Sequence, residues 1–98
     1  MSHPDVVRDR VQRILAEVLS LSLATIVPQA RIMDDLGAES IDLLDLRFRL
    51  EREFGLKITN EDLVAAFGEK VTAEQFHAQF TVEAMASYVE ARVKDLHG

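Results

Sequence analysis

The chain has 98 residues, of which 48% are hydrophobic and 29% are charged, and these proportions indicate a globular domain rather than a disordered segment. Its 17 acidic and 11 basic residues give a formal net charge of −6. This charge argues against a nucleic-acid-binding protein, which would need clustered Lys and Arg, and the absence of cysteine excludes disulfides, thiolate metal sites and a cysteine nucleophile.

The first predicted element is an amphipathic helix from about Asp5 to about Ser20. Its apolar residues recur at helical spacing and form one stripe: Val7, Val11, Ile14, Leu15 and Val18. Arginines ahead of the largely apolar stretch 14–27 also resemble a secretory signal, but the amphipathic pattern explains this stretch better because Glu17 interrupts it. No stretch is long and apolar enough to span a bilayer, and we expect a cytoplasmic, monomeric protein.

The helical period is lost from about Leu21 to Glu39, where Pro28 and Gly37 interrupt the pattern. We interpret this segment as a long loop that scattered apolar side chains hold on the core. Loops of this length in compact domains often carry function.

The second predicted helix begins at Ser40 and ends near Phe54. Gly55 suits the C′ position, and the charges follow the helix dipole, with acids near the start and arginines near the end. The apolar residues again form one stripe: Leu43, Leu46, Leu50 and Phe54.

Three further helices are predicted in the second half of the chain. Thr59 opens a short helix that Gly68 ends, a capping box of Thr72 and Gln75 opens an extra short helix near Ala73–Gln79, and Thr81 caps the last helix. The predicted fold class is therefore all-α: a four-helix bundle with a long first loop and an extra short helix before the last one.

Two acid-rich segments overlap the two ends of the second predicted helix. Residues 34–42 read Asp-Asp-Leu-Gly-Ala-Glu-Ser-Ile-Asp, and residues 51–58 read Glu-Arg-Glu-Phe-Gly-Leu-Lys-Ile. Their pattern resembles the acyl carrier protein family, in which an acidic-Leu-Gly-x-acid-Ser-aliphatic motif precedes Glu-Phe-Gly and an aliphatic-x-Ile. The resemblance covers nearly the whole chain in helix order and implies an acyl-carrier-like bundle. It also implies that residues 1–98 form a single carrier domain that is not itself an enzyme.

The resemblance implies that Ser40 is the attachment site of 4′-phosphopantetheine. A phosphopantetheinyl transferase would join this group from coenzyme A to the Ser40 hydroxyl. Its thiol would then hold acyl groups as thioesters for enzymes of fatty-acid or lipid biosynthesis. A helix start suits a phosphate because its unpaired backbone N–H groups and positive dipole end favour an anion. The ordinary interpretation of Ser40 is a helix N-cap, and we expect both to hold.

Further site residues are expected on the same basis. The acids expected to contact basic surfaces on the transferase and on acyl-loading and acyl-transfer enzymes are Asp35, Glu39, Asp42 and Asp45. The residues expected to line an acyl cleft are Leu36, Ile41, Leu44, Phe67, Phe76 and Phe80. No metal site and no nucleic-acid partner are expected. Arginines offset the acids of the second helix, and this departure from the family pattern favours dedicated partners.

The segment between Leu63 and Thr81 is longer than in ordinary members of the family. It resembles the specialised carriers for very-long-chain acyl groups destined for lipid A. Either the segment from about Gly68 to Phe80 widens the acyl cleft, or its aromatic residues only complete the core. Two alternatives to an acyl carrier also stay open, namely a peptidyl or polyketide carrier and an unmodified helical interaction module.

Overall fold

The computed structural model describes residues 4–68 and 72–97. Its α-helices are α1 (Pro4–Leu19), α2 (Ser40–Phe54), α3 (Asn60–Leu63), α4 (Ala73–Gln79) and α5 (Val82–His97). A short 3₁₀ turn, Leu23–Thr25, lies between α1 and α2, and a π-helical turn, Val64–Gly68, continues α3. The described ranges contain no β-strand, which confirms the all-α prediction and the extra short helix before the last one. Residues 69–71 of the long segment lie outside the described part.

Helices α1, α2 and α5 enclose one apolar core, with α1 packed against both of the others. The largest fully buried side chains come from these helices and from the loop before α2: Val11, Leu15, Ile32, Leu50, Val82 and Val89. Most of the predicted stripe of α1 is buried, which confirms its amphipathic pattern. The helix ends at Leu19 rather than Ser20, because Ser20 adopts a left-handed conformation with φ 57°. No helix in the described ranges is both long and apolar enough to cross a membrane.

The loop between α1 and α2 is held against the junction of α4 and α5. The backbone N–H of Ile32 donates to the carbonyl of Phe80, and that of Val82 donates to the carbonyl of Ala30, each over 2.9 Å. The side chains of Ile26, Ala30 and Ile32 are buried beneath the loop. The prediction of a long loop held on the core is therefore confirmed, although the backbone bonds to the α4–α5 junction were not foreseen.

The helix ends follow local capping rules. The Thr59 and Asp62 side chains accept reciprocal hydrogen bonds from each other's backbone N–H at 3.1 and 3.0 Å, and Thr72 and Gln75 do the same at 3.1 and 2.9 Å. The Thr81 hydroxyl accepts a backbone N–H from the first turn of α5 at 3.0 Å. These bonds confirm the predicted starts of the last three helices.

The turn after α3 differs from the prediction of one continuous short helix. Val64–Gly68 winds as a wider π-helical turn, and within it Phe67 lies 5.2 Å from Phe80 and 5.5 Å from Tyr88 between ring centroids, in edge-to-face arrangements. Such turns often occur at functional sites. Here the turn forms one wall of the cavities described next.

Candidate functional site

Ser40 is the first residue of α2 and is exposed. The chain reaches it through Gly37, which turns the backbone with φ 74°, and through the buried Ala38. Glu39, with φ −105° and ψ 172°, is the N-cap residue. The interpretation of Ser40 as the N-cap is therefore wrong by one position.

The capping hydrogen bond explains this shift. The Asp42 carboxylate accepts a hydrogen bond of 2.9 Å from the backbone N–H of Glu39, which is the bond that the third helical residue makes to the N-cap residue in a capping box. Among the described residues, none forms a hydrogen bond with the Ser40 hydroxyl. The hydroxyl at the start of α2 is thus both accessible and uncommitted.

Asp35, one of the four expected contact acids, is bound to Arg31. The Arg31 side chain donates to the Asp35 carboxylate at 3.0 and 3.1 Å, and the Arg31 backbone N–H adds a bond of 2.7 Å. These hydrogen bonds hold the pKa of the Asp35 carboxyl below its usual value. The pair is exposed, so its charges stay partly available to a partner.

Of the other three acids, two also have internal partners. Asp45 pairs with Arg49 at 3.3 Å, and Asp42 holds the N–H of Glu39. The Glu39 side chain is exposed. The acidic surface near Ser40 is therefore weaker than the sequence indicates, because arginines of the same chain already offset part of it.

An open cavity of about 310 Å³ adjoins Ser40. We call it the outer cavity; its walls come from α2, α3, the π-helical turn and α4. They are Ser40, Leu43, Leu44, Arg47, Leu63, Val64, Gly68 and Phe76. Ser40 and Arg47 are the members of this wall that carry polar side-chain atoms.

A second, smaller cavity of about 60 Å³ lies deeper in the bundle. We call it the inner cavity, and its walls are Leu43, Leu46, Arg47, Leu50, Ile58, Leu63, Phe67, Phe76, Phe80 and Met85. Four of these also line the outer cavity: Leu43, Arg47, Leu63 and Phe76. The two cavities are therefore adjacent, and together they lead from Ser40 toward the core. A cavity with apolar walls of this kind excludes water and accepts an apolar ligand.

The structure places the six expected cleft residues in different surroundings. Phe67, Phe76 and Phe80 line the inner cavity, and Leu44 lines the outer one. Leu36 instead packs, half-buried, against the core, and Ile41 is 71% exposed; neither lines the two cavities. The π-stacked pair Phe76 and Phe80, 5.1 Å apart, both completes the core and borders the cavity.

Several wall residues were not predicted as site residues, and Leu43 and Arg47 are the two among them that share the helical face of Ser40. Leu43 was assigned only to the core stripe, and Arg47 only to the charge balance of α2. Both lie on the helical face of Ser40, three and seven residues after it. That spacing is the signal that could have found them.

Comparisons with known proteins agree with this geometry. The family described as the phosphopantetheine attachment site matches residues 9–66, a span that includes the greater part of α1, Ser40 and all of α2. The acyl carrier protein AcpXL of Rhizobium etli is 41% identical over 69 residues, which cover 69% of this chain and 75% of that protein. The acyl carrier protein of Thermotoga maritima is 32% identical over 93 residues, or 95% of this chain and 99% of that protein.

The helical bundle and the matched attachment-site family define a carrier that bears a prosthetic group. The chain belongs to the acyl carrier protein family. As a member of that family it carries acyl groups in lipid biosynthesis on covalently attached 4′-phosphopantetheine.

The residues of this chain fit such a group. An uncommitted hydroxyl at the first residue of α2 suits a phosphate ester, since backbone N–H groups and the positive end of the helix dipole lie at that position. The outer cavity starts beside the same hydroxyl. The described ranges 4–68 and 72–97 hold no group of three His, Asp or Glu side chains placed to bind a metal ion.

Proposed function

We propose that Ser40 is the residue that receives phosphopantetheine, and that the protein presents acyl groups to partner enzymes without catalysing a reaction itself. The main support for this proposal is the exposed Ser40 hydroxyl, which has no hydrogen-bond partner in the described part of the chain and borders the outer cavity. Once attached, the arm supplies a thiol that holds the acyl group as a thioester. The chain has no thiol of its own because it has no cysteine.

The acyl chain is proposed to pass through the outer cavity into the inner one, between Leu44, Phe67, Phe76 and Phe80. Burying each methylene there contributes about 0.8 kcal/mol. The inner cavity of about 60 Å³ is smaller than the ~150 Å³ cavity that holds a benzene molecule. A long chain therefore needs the Phe76–Phe80 stack to move apart. That the cargo is a very long acyl chain is a proposal that rests on the resemblance of the segment after Leu63. The chain is also similar to the acyl carrier protein AcpXL of Rhizobium meliloti, with 39% identity over 69 residues.

The surface around Ser40 is proposed to bind the transferase and the acyl-loading and acyl-transfer enzymes. Exposed acids there, Glu39 above all, would meet basic residues and so set association rate and partner choice more than affinity. Ile41, Leu44 and Phe48 form an exposed apolar row along the same helix, at 71%, 45% and 51% exposure. Ile41 is thus better placed to touch a partner than to line the cleft. The weakened acidity of α2 supports dedicated partners.

We further propose that residues 1–98 act as one carrier domain, as a monomer in the cytoplasm. The single core that α1, α2 and α5 share supports one domain. The cytoplasm is where a transferase would draw on coenzyme A.

The decisive experiment measures intact mass after co-expression with a phosphopantetheinyl transferase of broad specificity. We expect the wild type and a control, Ser22→Ala in the exposed loop, to gain one phosphopantetheine, and Ser40→Ala to gain none. Modification of the Ser40→Ala variant would move the attachment site elsewhere. An unmodified wild type with every transferase tested would favour the helical interaction module.

A second measurement distinguishes the kinds of cargo. The loaded protein is isolated from its native host, and the group released from the thioester is identified by mass spectrometry. A fatty acyl group supports the proposal, whereas an aminoacyl or polyketide group would identify the peptidyl or polyketide carrier.

A further inference from the structure

Arg47 is the one charged side chain among the walls of the outer and inner cavities. Its Nε atom is buried and has no hydrogen-bond partner among the described residues. The carbon at the centre of its guanidinium lies 5.5 Å from the centroid of the Phe48 ring. Arg49, two residues further along α2, instead pairs with Asp45 and Glu17, both at 3.3 Å. The Nε–H of the half-buried Arg47 is therefore a buried donor without an acceptor in the described part of the chain.

An unmet donor of this kind is costly. A buried N–H group without an acceptor lowers stability, because it has lost its hydrogen bonds to water without replacement. An apolar residue at position 47 would avoid this cost while completing the cavity walls. The donor is thus unfavourable for the protein alone and becomes favourable when a bound molecule offers an oxygen.

The position of Arg47 indicates which molecule that is. It lies seven residues after Ser40, which is two helical turns, or about 10 Å along the axis, on the same face. Long side chains on a helix lean toward its N-terminus, which for Arg47 is the direction of Ser40. Because Arg47 lines both cavities, an acyl chain that enters the inner cavity from the outer one passes the guanidinium.

We propose that Arg47 is a specificity-determining residue that donates a hydrogen bond to an oxygen substituent on the acyl chain. This inference rests on the proposed attachment at Ser40. The preferred cargo is then an acyl chain that carries a hydroxyl or another acceptor at the depth of Arg47, rather than a plain saturated chain. Since the other walls of the inner cavity are apolar, an oxygen in that cavity beyond the reach of Arg47 would lose its hydrogen bonds to water without replacement.

The test uses the holo-protein loaded with octanoyl or with 3-, 5- or 7-hydroxyoctanoyl chains. Each loading is first verified by intact mass, so a failure of attachment at Ser40 is seen separately from a failure of this inference. The variants are Arg47→Met, which keeps an unbranched side chain without the charge, and Arg49→Met as the matched control. Thermal unfolding is measured for every pair of variant and chain.

In the wild type and in Arg49→Met, we expect one hydroxyl position to raise Tm over plain octanoyl by about 4–8 °C, a shift that corresponds to one hydrogen bond in a domain of this size. Arg47→Met should lose this gain. The ¹H–¹⁵N resonance of the Arg47 Nε should also shift with that chain and not with octanoyl. The proposal fails if no hydroxyl position raises Tm, if Arg47→Met keeps the gain, or if the Nε resonance of the wild type does not move.

Discussion

The backbone N–H of Ile32 donates a 2.9 Å hydrogen bond to the carbonyl oxygen of Phe80. Ile32 belongs to the loop that leads to Ser40, and the Phe80 side chain lines the inner cavity. Phe80 thus binds the loop through its backbone carbonyl and lines the inner cavity with its ring. Movements of the aromatic wall and of the loop before Ser40 are therefore expected to be linked.

The buried ring of Phe80 should dominate the stability of this region. Phe80 is 4% exposed and contacts both Phe67 and Phe76, so Phe80→Ala is expected to lower the free energy of unfolding by about 3–5 kcal/mol. Phe48→Ala, which removes a ring that is 51% exposed, is the matched control and should cost far less. Urea denaturation of both variants measures the difference. Equal losses would contradict the packing described for Phe80.

Loaded chains should stabilise the protein according to their length. If the chain enters the cavities, each added methylene contributes up to about 0.8 kcal/mol until the space is filled. Tm should then rise along a series of saturated chains and reach a plateau. Phe76→Ala removes a ring from the wall that both cavities share, enlarges the space between them and should move the plateau to longer chains. A Tm independent of chain length would show that the cargo stays outside the bundle.

Gly37 should be sensitive to substitution for a backbone reason alone. Its φ is 74°, a conformation that costs other residues about 1–2 kcal/mol, and a Cβ there would meet nothing within 4 Å. Gly37→Ala is expected to lose about that much stability. A Cβ at Gly68 would also meet open space, but Gly68 has no positive φ, so Gly68→Ala should cost little or nothing. Thermal unfolding compares the two, and a similar loss in both would argue against a strained Gly37.

The ion pair between Arg8 and Glu83 should make a pH-dependent contribution to stability. Arg8 donates two hydrogen bonds to the Glu83 carboxylate, one of them at 2.7 Å, and these lower the pKa of Glu83 from its usual value of 4.5. A carboxyl whose pKa is lower in the folded state stabilises the fold above the unfolded pKa, and the gain is lost as pH falls through the folded pKa. The pair is partly exposed, so its contribution is about 1 kcal/mol or less.

Glu83→Gln is therefore expected to be less stable than the wild type at neutral pH, and the difference should shrink toward about pH 2 as the Glu83 carboxyl of the wild type becomes protonated. Urea denaturation at the two pH values measures this change. Glu74→Gln, at an exposed position on α4, serves as the control and should show no such convergence. A destabilisation of Glu83→Gln that persists in acid would attribute the loss to packing instead of charge.

Local chemistry made much of the fold predictable. Gly55 predicts the C-terminal end of α2, and the Thr72–Gln75 capping box predicts the start of α4, because both signals act within a single helical turn. The N-cap at Glu39 was missed because Ser40, a residue type that commonly caps helices, directly follows it, and the capping bond to Glu39 comes from the Asp42 side chain. The cleft residues were predicted less well. The sequence indicates that apolar residues of α2 face the cleft, but only the packing of the whole bundle determines that Leu43 does so and Ile41 does not.

The π-helical turn and Arg47 were beyond sequence reasoning for a related reason. The winding of Val64–Gly68 occurs where Phe67 contacts Phe80, which is distant in sequence. An arginine on a polar helix ordinarily indicates a solvated face, and the burial of its Nε depends on walls from three other elements. Contacts of this kind are not encoded in any short window of the chain.

Helix α2 is bracketed by Gly37 and Gly55, two left-handed glycines with φ 74° and 67°. Neither turn relies on the residues that α2 shows to solvent, so the ends of the helix stay in place when that face is altered. Ile41 and Asp45 can thus be exchanged as a pair for those of another carrier. The bundle can then serve as a scaffold for engineering. Replacing these exposed residues of α2 would change which enzyme the carrier binds, while the cargo cavities remain the same.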